Sequence, residues 1–358
     1  MINYRPTFTD ITEWNISVHQ STGGTRSKSI ASEPHTGIQY FFKGSKETDT
    51  GEIRYPTEFW SEIVASKIGV FLGFNMLDYN IAYNEKHRQK IGCLSQSMIV
   101  SGENKLTEGL NYLVGFDGSY RPESGEHKKR YNFEFIAATL EHFSMGKYVA
   151  NIIEIIIFDS IVGNSDRHQE NWGIITNFKS QVAEEQIEKG KIWERLSRKM
   201  LKFITSTVIA TNKIKPRFDP STLRLEAGIL PHDFAPIYDS GCCLGREILD
   251  EKVQLMIKND QMIAAYVRKG LSEIHHSDFT KKNHFDLIKY IKTNHSEYVL
   301  SIIQRTQGKY VPEMISDIIH NIDLELPPSL DEYKLVDHRK ELMVKLVTLR
   351  LESLFNII

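Results

Sequence analysis

The run YVANIIEIIIFDSIVG, residues 148–163, constrains the fold more than any other stretch. It predicts a helix that is apolar nearly all round. A helix with no polar face has no side to turn to water, so it belongs in the middle of a lobe. That needs a large chain around it, and 358 residues are enough for two domains or lobes with a sizeable core. The greasy run then ends in Gly-Asn, and Ser165-Asp166-Arg167-His168-Gln169-Glu170-Asn171 follow before the chain turns apolar again at Trp172. Polar groups this dense between two buried runs mark a loop with chemistry on it.

The rest of the chain divides around that helix. Residues 1 to about 100 predict a strand-rich lobe: WNISVHQS, IQYFFKGS, LDYNIAY and KIGCLSQSMIV are rich in β-branched and aromatic residues. TGGTRSKSIASEPHTG, between the first two, predicts a turn or loop. TEFWSEIVASKIGVFLGF predicts a helix stopped near Gly73. From about residue 130 the stretches are long and helical, up to RKELMVKLVTLRLESLF with Leu342, Leu346 and Leu349 at helical spacing. The expectation is an α+β, two-lobe chain: an N-lobe over 1–100, a helical C-lobe over 101–358, and a crossover near Ser95 to Val100.

Composition excludes several classes. With 41% hydrophobic and 25% charged residues and a net charge of −2, the chain lacks the basic excess of a general nucleic-acid binder. Cys93, Cys242 and Cys243 form neither a disulfide framework nor a zinc spacing, and the adjacent pair reads as buried packing rather than redox chemistry. No segment approaches the roughly 18 uncharged apolar residues of a membrane span, and MINYRPTFTDITEW has no signal-peptide pattern. A cytoplasmic protein is expected, or one exported as an effector without a readable signal.

Four elements then fall in one order. STGGTRSK offers paired glycines, Gly23 and Gly24, with Thr25 and Lys28, in a loop whose backbone N–H groups can approach phosphate oxygens. Lys43 ends the apolar strand of YFFKGS, and Glu58 and Glu62 lie on the helix that follows; Glu62 is preferred as its partner because it lies deeper in the helix. Asp166 and Asn171 make D-x-x-x-x-N, the spacing that puts a proton-accepting carboxylate and a magnesium-binding amide oxygen on one short loop. Asp239-Ser240-Gly241 presents a carboxylate at the end of an apolar run, suited to a metal bridging the β- and γ-phosphates. Each alone is ordinary. The order, with the change from β-rich to α-rich texture, is that of kinase-like phosphoryl transfer.

With those residues in place, the sequence resembles the HipA-like serine/threonine kinases. The carriers are IVGNSDRHQENWGI, IYDSGCCLGRE and STGGTRSK, with YVRKGLSEI and HFDLIKYI similar to the family's helical lobe. The phosphoinositide kinases share the Asp-Arg-His-x-x-Asn order. The resemblance implies ATP and Mg²⁺ as cofactors, Asp166 as base, Asn171 and Asp239 as magnesium ligands, Lys43 on the α/β-phosphates and His168 as support for the loop. It also implies Gln96 and Met98 in the adenine-facing linker and self-phosphorylation at Ser21. The Gly-rich loop begins near residue 21, as in the short HipT-type toxins and CtkA-type kinases. The stretch from about 179 to 230, with a charged helix around 183–204, reads as an insertion on which a regulator or substrate docks, or which caps the lobe. The implied partners are a protein with a Ser/Thr acceptor and an antitoxin-type regulator, with no nucleic acid and no membrane. A lipid kinase, for which EHKKRY at 126–131 would be the basic loop, and an inactive kinase-fold binding module are the competing readings.

Overall fold

The structure, a computed structural model, describes residues 4–19, 28–48, 50–178, 223 and 230–358. Six strands make the first sheet: β1 Phe8–Asp10, β2 Asn15–His19, β3 Lys28–Ser32, β4 Gln39–Lys43, β5 Asn80–Tyr83 and β6 Ile91–Gln96. Their order is β1-β5-β6-β4-β3-β2. β1 runs parallel to β5, and the other neighbours are antiparallel. Side chains alternate across a strand. Phe42, opposite Leu94, therefore joins Ile11, Ala31 and Ala82 in a small outer cluster. Lys43, opposite Cys93, turns to the other face.

Helix α1, Glu58–Leu72, packs under β6. It ends where the sequence predicts, with Gly73 at φ +86° closing it in the left-handed conformation that glycine adopts without steric cost. All of its residues except Val70 and Phe71 are buried, including Glu58, Glu62 and Lys67. The reason is that α1 is covered twice, by the sheet and by helices from the far end of the chain. Its Trp60 indole N–H donates to the Tyr333 carbonyl at 3.0 Å.

The remainder is helical around a second small antiparallel sheet, β7 Asn104–Glu108, β8 Gly173–Asn177 and β9 His232–Phe234, in that order. Its helices among the described residues are α2 Gly109–Phe116, α3 Gly125–Lys128, α4 Phe133–His142, α5 Val149–Val162, α6 Asp250–Met256, α7 Asp260–Lys269, α8 His284–Asn294, α9 Ser296–Lys309, α10 Pro312–His320 and α11 Asp337–Phe355. The all-apolar run is α5, at the centre, in contact with α8, α9 and α11. One continuous apolar core joins α1 to these helices. The architecture is α+β with a curled-sheet N-lobe and a helical C-terminal region. Among the described residues no helix is long and apolar enough to cross a membrane.

Three details differ from the sequence reading. The predicted loop 22–37 contains β3, because Ser29 to Ser32 are paired on both sides and this pairing overrides a weak local β preference. The C-lobe sheet is invisible as a unit, since β9 has only three residues. Asp239 follows an irregular stretch rather than a strand end, and that stretch carries one bridge, Met76 to Ile237. The expected insertion helix at 183–204 lies outside the described residues.

Candidate active site

Lys43 is 5% exposed and sits where the sheet, α1 and the 239–241 segment meet. Its Nζ lies 2.8 Å from Glu62 Oε2 and 2.6 Å from Asp239 Oδ1. The other Glu62 oxygen accepts the Ser240 backbone N–H at 2.7 Å. One helix carboxylate thus fixes both the strand lysine and the Asp-Ser-Gly segment. Gly241 is required by close approach: a Cβ there would lie 2.7 Å from Glu62 Oε2. Asp239 adopts φ +55°, a left-handed conformation that Asp tolerates better than most side chains. Its N–H donates to the Tyr79 hydroxyl at 3.4 Å. Burial, reinforced by the Glu62 and Asp239 carboxylates, pushes the Tyr79 phenol well up, so it stays neutral.

The choice between the two glutamates has a geometric answer. Glu58, one turn earlier, pairs with Arg246 and accepts the Lys46 N–H at 2.8 Å. Arg246 also stacks over Tyr55, 4.4 Å from the ring centroid. Glu62 is left to Lys43.

The loop bearing Asp166 hangs from the end of α5. Gly163, at φ +72°, turns the chain, and the Arg350 guanidinium of α11 fills the space a Cβ would need. Asn164 is fully buried, donates to Asp159 at 3.0 Å and accepts the Asp166 N–H at 3.3 Å. Arg167 is the keystone, 1% exposed. It bonds Asp159 through Nε at 3.0 Å and Nη2 at 2.8 Å, the carbonyls of Asn171 at 2.9 Å and Tyr238 at 2.5 Å, and the Ser240 hydroxyl at 3.0 Å. These use all five guanidinium N–H groups. Burial alone would pull this guanidinium's pKa down; the Asp159 carboxylate, by charge and by hydrogen bonding, reverses that and raises it.

The Asn171 amide nitrogen donates to the Asp166 carbonyl at 2.8 Å, which leaves its oxygen as the group to offer a ligand. His168 accepts the Glu170 N–H at 3.3 Å, and its backbone N–H donates to the Asp166 carbonyl at 2.9 Å. Its contacts are those of a loop support. Among the described residues no three His, Cys, Asp or Glu side chains converge on a metal position. Asp239 and Asn171 fit a hard cation as two oxygen donors, with the remaining ligands left to phosphate and water.

The other expected site residues lie apart from this cluster or outside the description. Gln96 ends β6 opposite Tyr40 and is exposed. Met98 is half-buried, and its carbonyl accepts the Asn104 amide at 3.4 Å. Neither shares a hydrogen bond with Lys43. Lys28 opens β3 opposite His19. Ser21, Gly23, Gly24 and Thr25 lie outside the described residues. Sequence reasoning missed Asp159, on the apolar helix α5, and Arg167, Ser240 and Cys242, which lie in the same motifs as the residues it named. Ser95, the first residue of the expected linker, lies on the Lys43 face of β6, and its hydroxyl is buried with no partner among the described residues.

No protein-family model matches the sequence, and no curated protein matches it. Among solved structures, the chain is similar to the crystal structure of a Helicobacter pylori proinflammatory kinase, CtkA. The TM-score is 0.66 at 18% sequence identity, over 98% of this chain and 96% of that one. At that identity the likeness is one of fold, and the fold on which Lys43, Glu62, Asp166, Asn171 and Asp239 are displayed is the kinase-like two-lobe fold.

Proposed function

We propose that the protein is an ATP- and magnesium-dependent kinase that phosphorylates a serine or threonine hydroxyl of a protein. The observation that carries this is the Lys43–Glu62–Asp239 cluster, drawn from strand, helix and loop onto one point, with the adjoining 238–242 segment bonded to the loop of Asp166 and Asn171. When bound, Mg²⁺-ATP would supply the transferable phosphoryl group. Lys43 would bind the α/β-phosphate oxygens, held in place by Glu62. The Asp239 carboxylate and the Asn171 amide oxygen would hold the magnesium ion. Asp166 would orient the acceptor hydroxyl and take its proton as the new O–P bond forms and the bond to the leaving ADP breaks.

Control of this activity is proposed to act through phosphorylation of Ser21 in the Gly-rich loop, where added negative charge opposes a triphosphate. An antitoxin-type regulator is the proposed partner. Incubation with γ-labelled ATP, with protein acceptors in one arm and phosphoinositide vesicles in the other, tests the reading. Magnesium-dependent label on protein Ser or Thr, lost on Asp166→Ala, is expected. Label on lipid alone, or none in either arm, overturns it. Mass spectrometry of the ATP-treated protein reads Ser21 directly.

A further inference from the structure

Cys242 does more than fill space. Its thiol donates to Oδ2 of Asp166 at 3.1 Å, and its carbonyl accepts the Ser165 N–H at 3.3 Å. Two residues on, the Leu244 N–H donates to the Val162 carbonyl at 3.0 Å. The 242–244 segment is thereby tied to the stretch that leads into Asp166. Its neighbour Cys243 differs. Cys243 is 2% exposed, and its sulfur lies 3.8 Å from the Ser61 carbonyl. Burial, and after it the Glu62 carboxylate, pushes the Cys243 thiol well up, so it stays protonated and inert.

A carboxylate turns easily about its last torsion, which is broad and roughly two-fold. One oxygen of Asp166 is tied by Cys242, and the other, Oδ1, has no partner among the described residues. A cationic donor at Oδ2 would orient the group but also neutralise it; a thiol orients it and adds no charge. We propose, on the phosphotransfer reading above, that Cys242 is a positioning residue whose S–H fixes Oδ2 of Asp166 so that Oδ1 is presented to the acceptor hydroxyl. The chain has three cysteines, so the contact can be followed by spectroscopy.

Kinetics and infrared spectra of Cys242→Ala, Cys242→Ser and Asp166→Ala test this. The alanine variant is expected to lose about tenfold in kcat, the loss that matches one hydrogen bond to a charged group, with KM for ATP unchanged. The serine variant, whose hydroxyl also donates, is expected to recover most of that loss. The S–H stretching band of Cys242, identified by its disappearance in Cys242→Ser, is expected to shift to higher wavenumber in Asp166→Ala as the hydrogen bond is lost. An alanine variant with wild-type kcat, a serine variant as slow as alanine, or a band that does not move overturns the proposal. If the band moves while no variant, and not the wild type, transfers phosphate, the phosphotransfer reading and the catalytic role fall together and only the contact remains.

Discussion

Two buried charge clusters meet at this site, and they are balanced differently. Around Arg167, one guanidinium faces one carboxylate, Asp159, and its other N–H groups go to carbonyls and a hydroxyl. Charge cancels and every donor is used. Around Lys43, one ammonium faces two carboxylates, Glu62 and Asp239. Among the described residues the two carboxylates outnumber the ammonium in a poorly solvated place, where an excess of charge costs free energy unless a cation arrives. The balanced cluster has nothing further to bind and works as scaffold. At the Lys43 cluster, on the proposed function, a magnesium ion would find carboxylate oxygens already gathered.

Breaking the scaffold should have the largest effect. Arg167→Met leaves Asp159 buried and unpaired, and about 3–5 kcal/mol of stability should be lost, with phosphotransfer lost as well. Denaturant unfolding measures it, and an unchanged midpoint would remove the distinction between the clusters. Asp166→Ala should lower kcat by about 10²- to 10⁴-fold while the melting temperature stays within a degree or two of wild type. Loss of folding in that variant would place Asp166 with the scaffold instead.

A pH experiment probes the scaffold behind Gly163. His284 is fully buried with neither ring nitrogen bonded among the described residues, and burial, then the Arg350 charge, lowers its pKa from 6.5 to about 3. The unfolded chain binds the proton first as pH falls, so this stability is complete above pH 6.5 and is lost progressively toward pH 3. At pH 5 the loss should be about 2 kcal/mol, and His284→Phe should remove that acid sensitivity. Asp239→Asn should have the smallest effect on stability, unchanged or raised by under about 1 kcal/mol, because it relieves the charge excess. In the same variant Mg²⁺ should no longer strengthen ATP binding in calorimetry. Equal enhancement in variant and wild type would show that the excess charge at Lys43 is not the metal receptor.

The parts of the site that were legible in the sequence are those with a fixed order and a local signature. Lys43 ends a strand because QYFFK is an apolar β run, and α1 was bounded by Gly73. The all-apolar α5 announced its central place. What stayed hidden depends on partners far along the chain. Arg167 sits within the motif, yet its role is set by Tyr238 and Ser240, which no spacing reveals. Glu58 and Glu62 look alike on the helix; Arg246 separates them. Strand β3 is composed of Lys, Ser, Ile and Ala, and only its two neighbours make it a strand. The Cys242 thiol looked like core until Asp166 was found beside it.

The clamp on α1 has a consequence for how the protein comes into being. Lys43 meets Asp239 across 196 positions, Arg350 reaches Ser160 across 190, and Trp60 bonds Tyr333 across 273. A ribosome adds roughly 5–20 residues per second, so β4 must wait some tens of seconds for its partner and α1 longer for its outer cover. Contacts this distant form late, since the chain must close its largest loops before they reward it. Until Asp239, Ser240 and Cys242 have been made, the segment that bonds to both the lysine strand and the loop of Asp166 does not yet exist. The candidate site is therefore assembled late, from pieces that sit far apart on the growing chain.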